Sequence, residues 1–302
     1  MRPISLFAPA KLNLFLAVTG RRADGFHDLV SLVAPLDFGD TLELEPNEHY
    51  SLTCSDPTLA ADDTNLVAKA AQAFAEATGR PRAGSWRLNK RVPVGAGLGG
   101  GSSDAVAALK ALNEWRGRPL APAKLHELAA GLGSDCPLFL HEGPVIIRGR
   151  GERVTPLEGE AAQRLRGRRV LIFKPDFPVP TAWAYGQFAR DAFQDAGSSG
   201  RPRPYLSEAD AEARLAAWLA DTAAPAEALA LNNFERVVFA KYLALPAMLA
   251  ELRDEFGLAG RLSGSGSACF ALIDDSTPVD AIAGHIRRGW GSSALVTTAR
   301  LA

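Results

Sequence analysis

Val92-Pro-Val-Gly-Ala-Gly-Leu-Gly-Gly-Gly-Ser-Ser-Asp-Ala-Val106 is the stretch of sequence that decides the fold. Five glycines lie within positions 95–101, so few Cβ atoms keep an anion away from this backbone. Ser102 and Ser103 follow and can cap a helix, in which apolar residues then recur at helical spacing. A loop of free amides that opens onto the positive end of a helix dipole predicts a phosphate-binding site rather than a flexible linker.

Three better-known phosphate-binding motifs resemble this loop but fail on context. Residues 95–100 satisfy the dinucleotide pattern, yet the segment about 20 positions later is a loop without an acidic residue. A Walker A loop requires Gly-Lys followed by Ser or Thr, whereas Gly101 is followed directly by Ser102. The protein-kinase order is not met either, because Asp37-Phe38-Gly39 precedes the glycine loop.

Length, charge and cysteine content restrict the class of protein. The 302 residues suffice for one large or two ordinary domains, and the net charge of -1 with a pI of about 6.5 favours neither nucleic acid nor anionic membranes. No apolar run reaches the length of a membrane span, and the N-terminus lacks a secretory signal pattern. The three cysteines are widely spaced without a metal-ligand pattern, which predicts a cytoplasmic protein with no metal site of its own.

Arginine supplies most of the positive charge, since the 33 basic residues comprise 26 arginines and seven lysines. A lysine at a constrained position therefore indicates that a compact point charge is needed there. Lys11 alternates with Asn13 on one face of a predicted strand, with leucines on the other face. A solvent-exposed lysine on an edge strand is the alternative interpretation.

Hydrophobic periodicity and turn residues predict an α+β chain with strands and helices in unequal blocks. Strands are predicted over residues 9–19, 29–45 with a break at 38–40, 86–94, 145–147, 169–173 and 269–273. Helices are predicted from a cap at 62–65 to residue 77, after the glycine loop to about residue 113, and over 122–132. The glycine- and charge-rich segment 149–167 predicts a boundary between domains at 1–160 and 161–302, and residues 196–204 are predicted as a mobile linker.

Asp135 lies in a predicted turn, residues 133–137, inside an otherwise apolar segment. A kinase needs such a carboxylate to accept the proton of the acceptor hydroxyl. A helix cap is an equally good interpretation, because Asp-x-Pro often opens a helix. By themselves, His27 and Tyr185 fit packing roles, and the glycine-serine cluster at 263–267 fits a turn.

Five motifs resemble those of the GHMP kinases and occur in the same order: Pro9-Ala-Lys-Leu-Asn-Leu14, Ala23-Asp-Gly-Phe-His27, the loop at 92–106, Gly133-Ser-Asp-Cys-Pro137 and Leu262-Ser-Gly-Ser-Gly266. The resemblance covers nearly the whole chain and implies a two-domain α+β kinase with its active site in the inter-domain cleft. The first two motifs point to the member that phosphorylates the 2-hydroxyl of a cytidine-diphosphate-linked methylerythritol in the non-mevalonate pathway of isoprenoid biosynthesis. The alternatives are a sister kinase acting on homoserine or mevalonate derivatives and a catalytically silent nucleotide-binding module.

The resemblance also implies roles for individual residues. Asp135 would be the general base, with Lys11 beside it. The residues implied to bind ATP are Asn65, on the adenine side, and Val94, Gly95, Ala96, Gly97, Leu98, Gly99, Gly100, Gly101, Ser102 and Ser103. The residues implied to contact the substrate are Asn13, Phe26, His27, Thr181 and Tyr185.

Within this set, Phe26 and Tyr185 would stack on the two faces of the cytosine, and His27 would hydrogen-bond its edge. Phe26 stands where the family usually has Tyr, so a stacking face is kept and a hydroxyl is lost. Residues 264–267 would close the far side of the site. Mg²⁺ would accompany ATP, with Ser102 or Ser103 as its possible protein ligand. The expected partners are small molecules alone, and the expected assembly is a monomer or weak homodimer.

Overall fold

The structure is a computed structural model that describes residues 2–195 and 205–302, so the predicted linker at 196–204 lies outside the described residues. The described chain forms two compact units. Unit 1 comprises Met1–Lys11, Asp37–Val94 and Gly99–Glu142, and unit 2 comprises Leu12–Leu36, Gly95–Leu98 and Gly143–Ala302, each without its undescribed residues. The chain passes between the units within two long strands, within the glycine loop and between Glu142 and Gly143. No border between these compact units lies at residue 160. The division into two domains at 1–160 and 161–302 remains a prediction.

The sheet of unit 1 has the strand order β3-β4-β2-β1. Its strands belong to β1 (Ile4–Arg21), β2 (His27–Glu45), β3 (Ser51–Cys54) and β4 (Ser85–Asn89). The predicted break at residues 38–40 is wrong, because β2 is continuous. A Cβ on Gly39 would lie 2.3 Å from the carbonyl oxygen of Ala8, so this glycine permits close approach of β1 instead of ending β2.

The strand predicted over residues 86–94 begins one residue earlier and ends at Asn89. Its predicted extension to Val94 is wrong for a local reason. The Asp40 Oδ1 atom accepts hydrogen bonds from the backbone N–H groups of Arg91 (2.5 Å) and Val92 (2.8 Å). These amides bond to a side chain instead of to a neighbouring strand, and the chain leaves the sheet there.

Three helices that pack against one another complete unit 1: α1 (Leu66–Thr78), α2 (Gly100–Trp115) and α3 (Pro122–Leu132). The predicted caps of α1 are confirmed, since Asn65 Oδ1 accepts from the Val67 N–H at 3.0 Å and Gly79 ends the helix at φ +65°. The predicted capping by Ser102 and Ser103 is wrong. Helix α2 begins at Gly100, so both serines lie in its first turn.

Unit 2 contains the remaining parts of β1 and β2 and two groups of strands. One has the order β6-β5-β2-β1-β8 and adds β5 (Val145–Gly149), β6 (Arg153–Pro156) and β8 (Leu231–Asn232). The other has the order β11-β7-β10-β9 and comprises β7 (Arg169–Lys174), β9 (Arg261–Leu262), β10 (Cys269–Ile273) and β11 (Leu295–Arg300). The strands predicted at 145–147, 169–173 and 269–273 are thereby confirmed.

The helices of unit 2 are α4 (Gly159–Leu165), α5 (Thr181–Asp195), α6 (Glu208–Ala220), α7 (Phe234–Lys241), α8 (Ala244–Phe256) and α9 (Val279–Trp290). Helix α5 packs on α7, and α8 packs on α9. Apolar side chains such as Phe188 and Phe234 meet at 5.5 Å between ring centroids in an edge-to-face arrangement, which closes the core around α5 and α7.

Candidate active site

The backbone of the glycine loop is left-handed at alternate residues. Gly95, Gly97 and Gly99 have φ values of +63°, +78° and +72°, while the intervening Ala96 and Leu98 are buried. Left-handed residues that alternate with other conformations aim successive N–H groups into one concavity, which is the backbone arrangement that binds anions. Only glycine adopts these angles without strain, so the loop geometry explains the glycine spacing in the sequence.

The second glycine cluster contacts this loop within unit 2. A Cβ on Gly97 would lie 2.2 Å from the carbonyl oxygen of Ser263, and the Ser263 hydroxyl donates to the Gly97 carbonyl at 3.2 Å. Asn232 supports the cluster, because its Nδ2 group donates to the carbonyls of Leu262 (2.9 Å) and Gly264 (2.8 Å). Sequence reasoning missed Asn232, whose residue type and short apolar context carry no signal for this role.

The first turn of α2 contains a polar atom that has no partner. Ser103 is buried, and its Oγ atom has no hydrogen-bond partner within the described residues. A buried hydroxyl normally finds a partner, so one that remains orphaned at a helix N-terminus is available to an anion or a bound cation. Asn65 differs, since its side chain is engaged at the α1 cap and donates to the Ala60 carbonyl at 2.9 Å.

Lys11 and Asp135 face each other in unit 1, with 3.6 Å between Nζ and Oδ2. The side chain of Lys11 is 4% exposed, so the edge-strand interpretation of this lysine is wrong. The helix-cap interpretation of Asp135 fails as well, because the following 3-10 helix, Pro137–Leu140, has Cys136 at its N-cap and no side-chain cap. A Cβ on Gly99 would lie 3.0 Å from Cγ of Lys11, which places this ion pair directly beside the end of the glycine loop.

His27 and Tyr185 come together in unit 2, although 158 positions of sequence separate them. Their ring centroids are 4.9 Å apart with the planes tilted by 33°. A hydrogen bond of 3.1 Å joins His27 Nε2 to the hydroxyl of Tyr205, a residue that sequence reasoning missed. Burial, with a smaller contribution from the nearby charge of Arg21, lowers the pKa of His27 and favours its neutral form. We call His27, Tyr185 and Tyr205 the aromatic cluster.

The other predicted substrate residues lie in unit 2 with different contacts. Phe26 is 48% exposed, and the Arg150 guanidinium lies over its ring, 5.1 Å from the centroid. The hydroxyls of Thr181 and Ser265 are 3.0 Å apart, so Thr181 touches the predicted closing segment at 264–267. Asn13 is buried and donates to the hydroxyl of Ser31 at 2.9 Å. The structure therefore leaves the paired stacking by Phe26 and Tyr185 as a prediction.

The described residues bear on metal binding and on membrane insertion. No group of three or more His, Cys, Asp or Glu side chains in these residues is arranged to hold a metal ion. None of the helices in the described part of the chain is both long and apolar enough to cross a membrane.

Comparison with protein families gives two matches. The GHMP kinases N terminal domain matches residues 65–143, and the GHMP kinases C terminal domain matches residues 215–291. The first match includes the glycine loop, α2 and Asp135, and the second includes the glycine-serine cluster at 263–267.

Individual relatives agree with this assignment. The chain is 40% identical to 4-diphosphocytidyl-2-C-methyl-D-erythritol kinase of Chlorobaculum tepidum, with 91% of this chain and 90% of the relative covered. It is 35% identical to the enzyme of the same name from Synechococcus elongatus, with coverage of 95% and 92%. The crystal structure of a 4-(cytidine 5'-diphospho)-2C-methyl-D-erythritol kinase superposes with a TM-score of 0.74 at 34% identity, covering 99% of this chain and all of that one.

More distant structures share the fold alone. A mevalonate kinase of Methanococcus jannaschii has a TM-score of 0.68 at 14% identity, covering 100% of this chain and 99% of that one. A homoserine kinase of Cytophaga hutchinsonii has a TM-score of 0.70 at 18% identity, covering 100% of this chain and 95% of that one. The predicted α+β GHMP kinase fold is confirmed by these neighbours together with the family matches.

Proposed function

Because the chain belongs to the 4-diphosphocytidyl-2-C-methyl-D-erythritol kinases of the GHMP kinase family, we propose that it transfers the γ-phosphoryl group of ATP to the 2-hydroxyl of 4-diphosphocytidyl-2-C-methyl-D-erythritol. It is an ATP-dependent small-molecule kinase of isoprenoid biosynthesis. The observation that carries the proposal within the site is the Lys11–Asp135 ion pair, which lies beside Gly99 at the end of the glycine loop.

Asp135 accepts a proton in the proposed reaction. The acceptor hydroxyl oxygen forms a bond to the γ-phosphorus, the bond from that phosphorus to the β-phosphate bridging oxygen breaks, and ADP leaves. The hydroxyl proton moves to the carboxylate of Asp135, whose side chain is 39% exposed and accessible to an acceptor. The buried ammonium of Lys11 supplies a fixed positive charge next to the loop, where negative charge is redistributed during transfer.

The first turn of α2 and the glycine loop bind the ATP phosphates in this proposal. Their free amides and the helix dipole supply the attraction for the anion. The unpartnered Ser103 hydroxyl fits Mg²⁺ that arrives with ATP, because hydroxyl and phosphate oxygens are the ligands this hard cation prefers. When bound, Mg²⁺ would neutralise charge on the β- and γ-phosphates.

The aromatic cluster recognises the cytidine end of the substrate. Stacking on Tyr185 tolerates any base, so selection for cytosine must come from hydrogen bonds at the base edge, where His27 lies. The wrong base would leave a buried polar group without a hydrogen-bond partner, and the free energy that this costs makes such selection effective. Asn13, two residues beyond Lys11 on β1, contributes to binding of the polyol, and Thr181 and Phe26 complete the substrate contacts.

Three wider predictions accompany this function. The small-molecule substrates and three free cysteines fit a reducing compartment, so we place the enzyme in the cytoplasm. We retain the assignment of a monomer or weak homodimer, and the assignment of residues 1–160 and 161–302 as the two family domains.

Ligand-dependent melting separates this function from the alternatives, because a ligand that binds only the folded state raises the melting temperature. The expected result is stabilisation by CDP and CTP but not by homoserine or mevalonate, together with ADP production only when the cytidine-linked polyol is added. Stabilisation by homoserine or mevalonate, with none by CDP, would replace the proposal with a sister kinase. Nucleotide binding without turnover of any acceptor would leave a catalytically silent module.

A further inference from the structure

Asp40, Lys90 and Asp104 form a buried charged cluster in unit 1 that the proposed chemistry does not use. The Nζ group of Lys90 donates to Asp104 Oδ2 at 2.8 Å and also to Asp40 Oδ2. The side chains of Lys90, Asp40 and Asp104 are 5%, 0% and 3% exposed. Burying charges is costly even when they are paired, and a buried ion pair is often no more stabilising than apolar residues of the same volume. Stability alone therefore does not explain this cluster.

The cluster joins the two ends of the glycine loop. At the beginning, Asp40 Oδ1 accepts from the N–H groups of Arg91 and Val92. At the end, Asp104 lies in the second turn of α2 and is bound by Lys90. These contacts hold residues that are 12 positions apart in sequence, Val92 and Asp104, in one network.

Gly100 lies directly over this network. A Cβ on Gly100 would be 2.9 Å from Cγ1 of Val92 and 3.2 Å from Nζ of Lys90. The first residue of α2 thus packs on the entry to the loop and on the ammonium group. A displacement of Lys90 would move both the entry and the helix N-terminus, which are the two supports of the phosphate-binding backbone.

We propose that Asp40, Lys90 and Asp104 are positioning residues that hold the glycine loop and the start of α2 in the conformation that receives nucleotide phosphates. The inference rests on the proposed ATP binding and extends it to residues that the phosphates do not touch. The Oδ1 atom of Asp104 has no hydrogen-bond partner in the described structure, so the contact with Lys90 is the one that fixes this side chain.

The test compares three variants by titration with a non-hydrolysable ATP analogue and, separately, with CDP. Asp104→Ala removes the tether to α2 but leaves the Lys90–Asp40 pair charge-matched, so the fold should survive. We expect it to weaken the analogue about tenfold, the order expected for a lost charge-assisted hydrogen bond, and to leave CDP affinity unchanged. Asp104→Asn still offers Lys90 an acceptor and should recover most of the affinity.

Glu43→Ala is the matched control, because it breaks the exposed Glu43–Arg87 pair (3.0 Å) between β2, which contains Asp40, and β4, which ends directly before Lys90. It should leave both affinities unchanged.

The proposal is overturned if folded Asp104→Ala binds the analogue like the wild type, if it loses affinity for both ligands equally, or if it binds the analogue no more weakly than Asp104→Asn. If Asp104→Ala does not fold, Asp104→Ser must show the same selective loss. The titration with the ATP analogue needs no phosphoryl acceptor, so an error in the proposed acceptor would remove only the comparison with CDP. A wild-type chain that failed to bind the analogue would overturn the proposed function itself.

Discussion

The Asp135 carboxylate and the Lys11 ammonium are 3.6 Å apart, yet water reaches them very differently. Lys11 is almost fully buried, whereas Asp135 is open on one side. A proton acceptor must reach its substrate, while a fixed charge acts more strongly where water is excluded. This division of exposure within one ion pair fits the roles of general base for Asp135 and electrostatic support for Lys11.

Replacing Asp135 by Asn should reduce kcat by about 10²–10⁴-fold, the usual contribution of a positioned general base. Binding of an ATP analogue and of CDP should be nearly unchanged, because the amide keeps the shape of the carboxylate. Steady-state kinetics and calorimetric titration provide the two measurements. Lys11→Arg should also lose most activity, because a planar guanidinium cannot take the place of a compact ammonium. Wild-type turnover in Asp135→Asn would remove this residue from the mechanism.

The hydroxyl of Tyr205 gives a test of the aromatic cluster with little change in volume. Tyr205→Phe removes the hydrogen bond to His27 Nε2, which leaves the imidazole free to turn or to change its tautomer. We expect the KM for the cytidine substrate to rise about tenfold, since a buried polar nitrogen loses its partner, while the KM for ATP stays the same.

Tyr242→Phe is the control for this prediction, because the Tyr242 ring stacks on Phe177 at 5.5 Å, whereas the ring contacts of His27 are with Tyr185 and Tyr205. It should change neither KM. Equal increases in both KM values for Tyr205→Phe would indicate a general loss of structure instead of a role in base recognition.

Asp104 makes stability depend on pH in a direction that can be stated in advance. Its pKa is raised to about 7 in the folded chain, chiefly by burial and against the pull of Lys90. Between about pH 4 and that value, the folded state holds a proton that the unfolded state releases, so this residue lowers the free energy of unfolding as the pH rises. In Asp104→Asn this decline should disappear. Urea unfolding of both proteins at pH 5 and pH 8 measures it, and parallel changes in the two proteins would contradict the assignment.

The type of an individual residue was enough to indicate one charged residue of the site, but it did not indicate which residues contact one another. The scarcity of lysine singled out Lys11, and the structure buries it beside Asp135. The same reasoning did not identify Lys90, since its partners Asp40 and Asp104 come from distant positions. Tyr205 was missed for a similar reason, because its contact with His27 spans 178 positions and has no local pattern.

The glycine loop and α2 form one functional element whose tolerance to side chains should differ from residue to residue. Gly99 has φ +72°, and a Cβ there would lie 2.9 Å from the Phe139 ring and 3.0 Å from Lys11. Gly99→Val should therefore weaken the ATP analogue far more than CDP, whose proposed contacts lie in unit 2. Separate titrations of the two ligands measure the difference.

Gly101→Ala is the matched control within the same element. Its Cβ would lie 3.3 Å from the end of the Leu66 side chain, which can shift, and alanine favours the helix. Analogue binding should be retained in this variant. Equal losses for Gly99→Val and Gly101→Ala would mean that the loop does not hold phosphates through its backbone conformation.

The ends of a helix or strand were predicted well where residues close in sequence determine them. They were not predicted where contacts with residues distant in sequence determine them. The ends of α1 follow from Asn65 and Gly79, whose side-chain cap and left-handed backbone act within a few residues. Gly39 looked like a strand break, but the approach of β1 gives this glycine its role inside a continuous strand. The end of β4 likewise depends on Asp40, about 50 positions earlier, which captures the next two amides.

The two compact units are discontinuous in sequence, and a linear prediction could not find them. Strands β1 and β2 each give residues to both units, so no single position divides the contacts. The five quoted motifs nevertheless identified the family, because each motif depends on local chemistry. The family matches then lie on either side of residue 160, although the compact units do not follow that division.

Hydrogen exchange can show whether ATP and cytidine nucleotides bind at different segments of the chain. The first amides of α2, at Gly100 to Ser102, have no partner inside the helix, whereas the Ser103 amide bonds to the Gly99 carbonyl at 3.0 Å. In the free protein the amides of Gly101 and Ser102, which belong to residues that are not buried, should exchange rapidly by local exposure, without global unfolding.

An ATP analogue should slow exchange at Gly101 and Ser102, because its phosphates would accept hydrogen bonds from these N–H groups. CDP should instead slow exchange around His27 and along α5, both in unit 2. General stabilisation by either ligand slows mainly those amides that exchange through global unfolding, so it cannot produce selective protection of amides that are already exposed. Protection by CDP at the start of α2, or by the analogue around His27, would contradict the proposed binding of phosphates at α2 and of cytidine at the aromatic cluster.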